Sequence, residues 1–387
     1  MKRDPAHLIS VAPARDSRSA PEQSASAALD AVSEPLPQPL AEWLYRAPRW
    51  LPTAHAQTIV PALFAQRPAV KYRRERWTTP DGDFIDLDWV SYDAEGENGA
   101  TAAQTPLSPD PSAPLFVLFH GLEGSSDSHY ARVLMAEAKA RGWFGVVPHF
   151  RSCGGSMNLL PRFYHLADSA EVDWVLRRLK AQHAGPVVAA GVSLGGNVLL
   201  RWLCEQEQDA TAILDAAAAI SAPLDVHAGG YAISQGFGMV YTRSFLKTLK
   251  CKALAKLDQY PGLFDRDAML AARTLHAFDN AVTAPLHGFR DTDDYWTRAT
   301  TRPYLPRIAI PTLLLNARND PFLPGRVLPS ATEVSAAVTL DQPAHGGHVG
   351  FMTGPFPGRI DWLSQRVFGY LQTHMQHVAT HTDSKHG

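Results

Sequence analysis

The stretch GVSLGGN, residues 191–197, decides how the rest of this sequence is interpreted. It connects the apolar run PVVAA, typical of a buried strand, to LGGNVLLRWLCEQ, which has the length of a helix. Gly191 and Gly195 stand on either side of one hydroxyl group, that of Ser193. A G-x-S-x-G pattern between a strand and a helix is typical of a sharp turn that presents the serine above a parallel sheet. The alternative is a tight turn in which the serine has no chemical role.

Strands and helices alternate on both sides of this turn. The apolar runs LFVLFH, FGVVPHF, PVVAAGVS and IPTLLLNA predict strands, and the amphipathic segments between them predict helices. This alternation predicts an α/β fold with a mostly parallel central sheet and helices on both faces. Upstream, VKYRRERWTT and FIDLDWV predict a β-hairpin. The helix-rich segment at about 222–305 is interpreted as a cap insertion over the carboxyl edge of the sheet, where open α/β sheets bind ligands.

Composition divides the chain into three parts. Residues 1–39 are rich in Ala, Ser, Pro and acidic side chains, which predicts a disordered N-terminal arm. Residues 40–375 carry the apolar content of one α/β domain that includes the cap, and residues 376–387 are predicted to be a flexible tail. Within the domain, the Pro-, Gly- and Ser-rich segment 93–112 predicts a surface loop.

Charge and composition exclude several classes of partner. The 387 residues carry a formal net charge of −2, so no global field favours nucleic acid. No stretch approaches the ~20 apolar residues that a transmembrane helix needs, and the start of the sequence lacks the apolar core of a signal peptide. Three scattered cysteines predict neither a disulfide framework nor a zinc site. These observations predict a cytoplasmic protein and leave its oligomeric state open.

A glycine-containing loop is expected to lie next to the serine. HGLEGSS follows the predicted strand LFVLFH, and this fold takes backbone N–H donors from such a loop. We assign the N–H groups of Leu122 and Leu194 as the oxyanion hole, the pair of donors that would stabilise negative charge on a substrate carbonyl oxygen. A loop that needs glycine only for steric reasons is the alternative. His120 ends the strand and is expected to brace the loop.

A serine hydroxyl becomes a useful nucleophile only with a base and an orienting acid. NARNDPF places Asp320 after one late strand, and AHGGHVGF places His345 and His348 after the next. The chain order serine, aspartate, histidine is typical of a fold that carries its serine on a strand-to-helix turn. We choose His348 because Gly347 before it gives backbone freedom and apolar residues follow it. Ordinary turn and loop residues are the alternative, and the chemistry requires neither a metal nor a cofactor.

Several longer strings are more specific than the serine turn alone. HAQTIVPALF, HGLEGSS, FRSCGGSMN, GVSLGGN, FDNAVTAPLHGF, NARNDPF and HGGHVGF each resemble a segment of the YheT-like branch of the α/β-hydrolases, over about residues 50–371. The resemblance implies an α/β-hydrolase fold with Ser193 as nucleophile, Asp320 as acid and His348 as the histidine. It also implies a carboxylesterase or lipid-active hydrolase, and some relatives transfer acyl groups to alcohols.

We therefore expect a serine hydrolase that cleaves small-molecule or lipid-like carboxylic esters through an acyl-enzyme. An alcohol O-acyltransferase would use the same three side chains and is the main alternative. A non-catalytic binding protein of the same fold is disfavoured because the triad is intact. A dehalogenase or epoxide hydrolase is disfavoured because it would need an acidic residue at position 193.

The predicted cap carries two further patterns. Its apolar residues are expected to form a roof over an acyl chain; they are Phe237, Met239, Val240, Phe245 and Leu246. The segment SFLKTLKCKALAKL also has a lysine series, Lys247, Lys250, Lys252 and Lys256. This series predicts either a transient contact with a membrane surface or an ordinary cap helix with a solvated face.

Overall fold

The structure, a computed structural model, describes residues 44–92 and 108–383, with side chains as far as Met375. The predicted arm over residues 1–39 and most of the predicted loop 93–112 lie outside the described residues. None of the helices in the described ranges combines the length and the apolar character needed to cross a membrane. The three cysteines are free thiols. The cytoplasmic location stays a prediction.

One central sheet contains the strands of the described residues. They are β1 (Tyr72–Thr78), β2 (Phe84–Val90), β3 (Leu115–Phe119), β4 (Phe144–Pro148), β5 (Val187–Val192), β6 (Ala216–Ile220), β7 (Thr312–Leu315) and β8 (Val338–Asp341). Their order across the sheet is β1-β2-β4-β3-β5-β6-β7-β8. β1 and β2 form the predicted hairpin, β2 also pairs antiparallel with β4, and the remaining neighbours pair parallel. The predicted, mostly parallel α/β fold is confirmed.

Helices occupy most of the segments between these strands. They are α1 (Ala54–Phe64), α2 (His129–Ala140), α3 (Ser169–Gln182), α4 (Leu194–Gln206), α5 (Val226–Ile233), α6 (Gly238–Gln259), α7 (Arg266–Ala271), α8 (Leu275–Phe278), α9 (Ala284–Leu286), α10 (Thr292–Ala299) and α11 (Asp361–Asp383). A short π-helix, Asp279–Thr283, separates α8 from α9. The sequence predicts that the last helix ends near Met375, whereas α11 continues to Asp383.

Both faces of the sheet are covered because its central strands are apolar on both sides. β3, β5 and β6 are buried along their whole length. On one face Val172 of α3 and Trp202 of α4 pack into the core, and on the other face Leu134 of α2 and Val367 of α11 do so. The carboxyl ends of the parallel strands share one edge, so the loops that follow β3, β5 and β7 lie together there.

The helices α5 to α10 form a cap between β6 and β7, and the cap has a core of its own. Leu246 and Ala253 of α6 pack in this core with Met269 of α7 and with Phe278 and Val282. The segment is therefore helical and apolar without contributing a strand to the sheet.

The exposed face of α6 carries only part of the lysine series noted in the sequence. Lys250, Lys252 and Lys256 each donate hydrogen bonds to other parts of the protein, and Lys256 is fully buried. Of the four lysines only Lys247 is exposed. α6 is therefore a cap helix with a solvated face, but that face carries Lys247 and not the buried Lys256 or the bonded Lys252. Contact with a membrane surface stays an untested prediction.

Candidate active site

Ser193 lies on the sharp turn between β5 and α4. Its backbone has φ 53° and ψ −119°, a sparsely populated conformation that costs a residue with a side chain about 1–3 kcal/mol. The Ser193 N–H donates to the carbonyl of Ile220 at 2.8 Å. A Cβ atom added to Gly191 would lie 2.3 Å from the carbonyl oxygen of Gly195, and one added to Gly195 would lie 2.3 Å from that of Phe119. The two glycines therefore allow the turn to lie close against β3 and α4.

The structure brings together the three side chains that were predicted to act together. The Nε2 atom of His348 lies 3.0 Å from Ser193 Oγ, and its Nδ1 atom lies 2.8 Å from Asp320 Oδ2. The second carboxylate oxygen of Asp320 accepts the Phe322 N–H at 2.7 Å. A proton on Nδ1 satisfies Asp320 and leaves Nε2 free to accept the serine proton. The arrangement has the geometry of a nucleophile, a base and an orienting acid.

The orientation of the imidazole ring is fixed by residues of the loops that follow β7 and β6. Phe322 stacks on the His348 ring, with the ring centroids 3.9 Å apart and the planes 9° from parallel. The next residue, Val349, has φ 60°, and its N–H donates to Ser221 Oγ at 3.2 Å. These contacts keep the ring between Ser193 and Asp320.

Helix α1 holds the same loop from the other side. Thr58 Oγ1 accepts the His348 N–H at 2.9 Å, and Gln57 Oε1 accepts the Gly346 N–H at 2.8 Å. Both helix side chains are buried, and Thr58 Oγ1 in turn donates to the carbonyl of Ala54. Sequence reasoning missed this role of Gln57 and Thr58. The signal that pointed to them was HAQTIVPALF, one of the strings on which the family resemblance rests.

His345 lies outside this arrangement. Its ring is exposed, and its Nδ1 atom lies 3.5 Å from Asn319 Nδ2. The structure therefore separates the two histidines of the glycine-rich loop in favour of His348.

The predicted oxyanion donors border the cavity beside the serine. Leu122 and Leu194 both line it with Ser193. On either side of Leu122, the Gly121 N–H donates to Tyr130 Oη and the Glu123 N–H donates to Tyr164 Oη, each at 2.8 Å. In the part of the chain that the structure describes, neither leucine N–H donates a hydrogen bond. The two groups are free for a substrate oxygen, and their role stays a prediction.

His120 braces the end of β3, as expected from its position. Its Nδ1 atom lies 2.8 Å from the Gly121 carbonyl oxygen, and its Nε2 atom accepts the Phe150 N–H at 3.1 Å. Burial lowers the pKa of His120 to about 3, so the ring is neutral at physiological pH. A neutral ring with both nitrogens engaged is suited to hold a loop rather than to transfer protons.

Two cavities meet at Ser193 and His348. The outer cavity has a volume of about 460 Å³, is bounded by α1 and α6, and is lined by Val240 among others. The inner cavity has a volume of about 90 Å³, lies under the cap, and is lined by apolar side chains such as Ile233. Phe245 lines both. A substrate carbonyl at Ser193 would therefore have space on two sides.

Of the five residues predicted to form an apolar roof, two line the cavities. Phe245 and Val240 line the cavities, whereas Leu246 packs in the core of the cap. Phe237 and Met239 line neither of these two cavities, and the Phe237 ring packs instead against His55 and Tyr241. Periodicity along α6 does not show which face turns to the cavity, because the cap uses the opposite face for its own core.

Comparison with known proteins agrees with this architecture. A family model for the alpha/beta hydrolase fold matches residues 114–355. "Putative esterase YheT" of Escherichia coli (strain K12) is 38% identical over 332 residues, which cover 85% of this chain and 93% of that protein. "Phospholipase ABHD3" of Mus musculus is 28% identical over 88% of this chain and 80% of its own length. "Monoacylglycerol lipase" of Saccharomyces cerevisiae is 26% identical over 69% of this chain and 60% of its own length. The chain belongs to the α/β-hydrolase fold family and to its YheT-like branch.

Proposed function

We propose that this protein hydrolyses carboxylic esters of acyl or lipid-like groups through an acyl-enzyme on Ser193. The observation that carries the proposal is the position of the His348 ring, 3.0 Å from Ser193 Oγ and 2.8 Å from Asp320 Oδ2. The names of its relatives, an esterase, a phospholipase and a monoacylglycerol lipase, support an ester substrate.

The reaction takes place in two steps, and the same histidine serves both. Ser193 Oγ attacks the carbonyl carbon while His348 Nε2 accepts the hydroxyl proton, and Asp320 stabilises the imidazolium that forms. The carbonyl oxygen becomes an oxyanion and accepts hydrogen bonds from the N–H groups of Leu122 and Leu194. The alcohol leaves with the proton from Nε2. Water, deprotonated by Nε2, then attacks the acyl-enzyme and releases the acid and Ser193.

The two cavities suggest where the two halves of an ester lie. The inner cavity is lined by apolar residues such as Ile233 and Val226 and suits the acyl chain. The outer cavity also carries polar and basic residues such as Ser128 and Arg67, and it suits the alcohol portion. Because the outer cavity is the larger, we expect the alcohol portion to vary more in size than the acyl chain.

A fluorophosphonate should label Ser193 covalently. The turn exposes the hydroxyl to a cavity and places it beside a base, which is the setting of an activated nucleophile. Intact-protein mass spectrometry should show one adduct on the parent protein and none on Ser193→Ala. Equal labelling of the two proteins would contradict the proposed nucleophile.

Product analysis distinguishes hydrolysis from acyl transfer. Parent protein is incubated with a p-nitrophenyl ester with and without added glycerol, and the products are identified by mass spectrometry. Hydrolysis predicts that the free acid remains the main product. A glycerol ester as the main product would replace the proposed hydrolase with an acyltransferase that uses the same side chains.

Adjacent residues of α6 allow a test of the acyl site. Phe245 lines both cavities, whereas Leu246 is buried in the cap core. Phe245→Ser should lower kcat/KM for p-nitrophenyl octanoate about tenfold more than for the acetate, because a long chain loses apolar contact that the acetate never makes. Leu246→Ser should lower stability and affect both esters alike. An equal loss for both esters in Phe245→Ser would show that this ring only supports the cap.

A further inference from the structure

The oxyanion loop, residues 121–124, is joined to the cap by one ion pair. Lys252 Nζ on α6 lies 2.7 Å from Glu123 Oε1. The Glu123 side chain is 9% exposed and that of Lys252 is 22% exposed, so solvent screens the pair only weakly. Among the described residues Glu123 is the only carboxylate within 4.0 Å of this ammonium group. The pair therefore links the oxyanion loop to helix α6 of the cap.

Of the groups that contact the Lys252 ammonium, Glu123 is the one that carries the opposite charge. Lys252 Nζ also lies 3.4 Å from Cys153 Sγ. Burial raises the pKa of the Cys153 thiol to about 11, so the thiol is neutral at physiological pH and supplies no opposite charge. On the other side, Tyr164 Oη donates to Glu123 Oε1 at 2.8 Å. One carboxylate oxygen thus accepts from both the cap and the core of the protein.

Glu123 directly follows Leu122 and is held by several contacts of its own. Glu123 has φ 56°, a backbone conformation that a residue other than glycine adopts only at a cost in free energy. Its own N–H donates to Tyr164 Oη at 2.8 Å, so Tyr164 contacts both ends of the residue. Leu122 lies between this restraint and the Gly121 N–H, which donates to Tyr130 Oη. The Leu122 N–H shares its peptide group with the Gly121 carbonyl, which lies 2.8 Å from His120 Nδ1 and accepts the Gly124 N–H at 2.9 Å. A shift of Glu123 would move Gly124 and so act on the Leu122 N–H through this last bond.

We infer that Lys252 is a positioning residue, which holds the oxyanion loop through Glu123 and so makes the alignment of the Leu122 N–H depend on a seated cap. This inference rests on the proposed ester hydrolysis. It also gives a role to Glu123, which belongs neither to the triad nor to the oxyanion hole. The other bonded lysines of α6 do not have this role: Lys250 donates to carbonyls of the cap itself, and Lys256 donates to the loop after β4.

The test compares Lys252→Met with Lys252→Arg and with Lys250→Met as a matched control on the same helix. Loss of one oxyanion donor lowers kcat about 100- to 1000-fold, and a donor that is only misaligned keeps part of its effect. We expect Lys252→Met to lower kcat for p-nitrophenyl esters on the order of tenfold to a hundredfold, with KM changed much less. Lys252→Arg should restore most of kcat, and Lys250→Met should leave it unchanged.

Hydrogen–deuterium exchange gives a readout that does not depend on activity. In Lys252→Met the amides of Glu123 and Gly124 should exchange faster than in the parent, whereas Lys250→Met should leave them unchanged. If the parent hydrolyses esters and Lys252→Met keeps both kcat and slow exchange, the inference is overturned. If the parent hydrolyses no ester, the proposed function fails, and exchange alone decides whether Lys252 holds the loop. Glu123→Gln should reproduce the Lys252→Met result, and a parent-like Glu123→Gln would also overturn the inference.

Discussion

Replacing His348 with alanine is expected to lower kcat about 10,000-fold or more, with the fold retained. The ring is the only group of the described residues that lies within hydrogen-bond distance of both Ser193 Oγ and Asp320 Oδ2. Without it, Ser193 has no base for its proton and Asp320 has no imidazolium to stabilise. The measurement is steady-state hydrolysis of a p-nitrophenyl ester, with circular dichroism to show that the variant is folded.

His345→Ala is the matched control for this prediction. Its ring is exposed and its only hydrogen-bond neighbour is Asn319, among the described residues. We expect the variant to keep kcat within about threefold of the parent, as surface substitutions away from a site usually do. If the effects of the two substitutions were exchanged in folded protein, the base would have to be reassigned to His345.

Gly195→Ala is expected to destabilise the fold by about 3 kcal/mol or more and to abolish most activity. The added Cβ atom would lie 2.3 Å from the carbonyl oxygen of Phe119 and 2.5 Å from that of His120. Both obstacles are backbone atoms at the end of β3, so they cannot turn aside as a flexible side chain can. Either α4 or β3 must move, and each carries part of the site. Thermal unfolding and ester hydrolysis measure the two effects.

Gly142→Ala separates this steric effect from backbone strain. Gly142 has φ 68°, and a Cβ atom added there meets nothing within 4 Å. The substitution should therefore cost only the about 1–2 kcal/mol of a left-handed backbone and leave kcat unchanged. A Gly195→Ala variant that is as stable and as active as Gly142→Ala would show that the turn has more room than the structure gives it.

The parts of the site that sequence could predict are those in which local pattern and function coincide. Ser193, Asp320 and His348 each follow a strand whose apolar run is visible in the sequence, and parallel strands bring their carboxyl ends to one edge. Glycines at fixed offsets mark the turn at Ser193, because a close approach of backbones leaves no room for a side chain. These features are local, so the pattern predicts both the element and the residue it presents.

The parts that sequence could not predict depend on contacts between distant segments. Gln57 and Thr58 lie on α1 and bond to a loop about 290 residues later, and nothing in their local pattern indicates that partner. The lysines of α6 have the spacing of a solvated face, yet Lys252 bonds to the oxyanion loop and Lys256 to the loop after β4. Amphipathic periodicity shows that a helix has two faces but not which tertiary surface meets each face.

The contact between α1 and the His348 loop has a consequence for the chain during its synthesis. Earlier segments of a chain emerge first during synthesis, so Ser193 is made before His348, which lies 155 residues later. The backbone amides of Gly346 and His348, which bond to Gln57 and Thr58, are synthesised about 290 residues later than these two side chains. Under the proposed function, Ser193 therefore has no base until His348 has been synthesised and its loop has docked against α1.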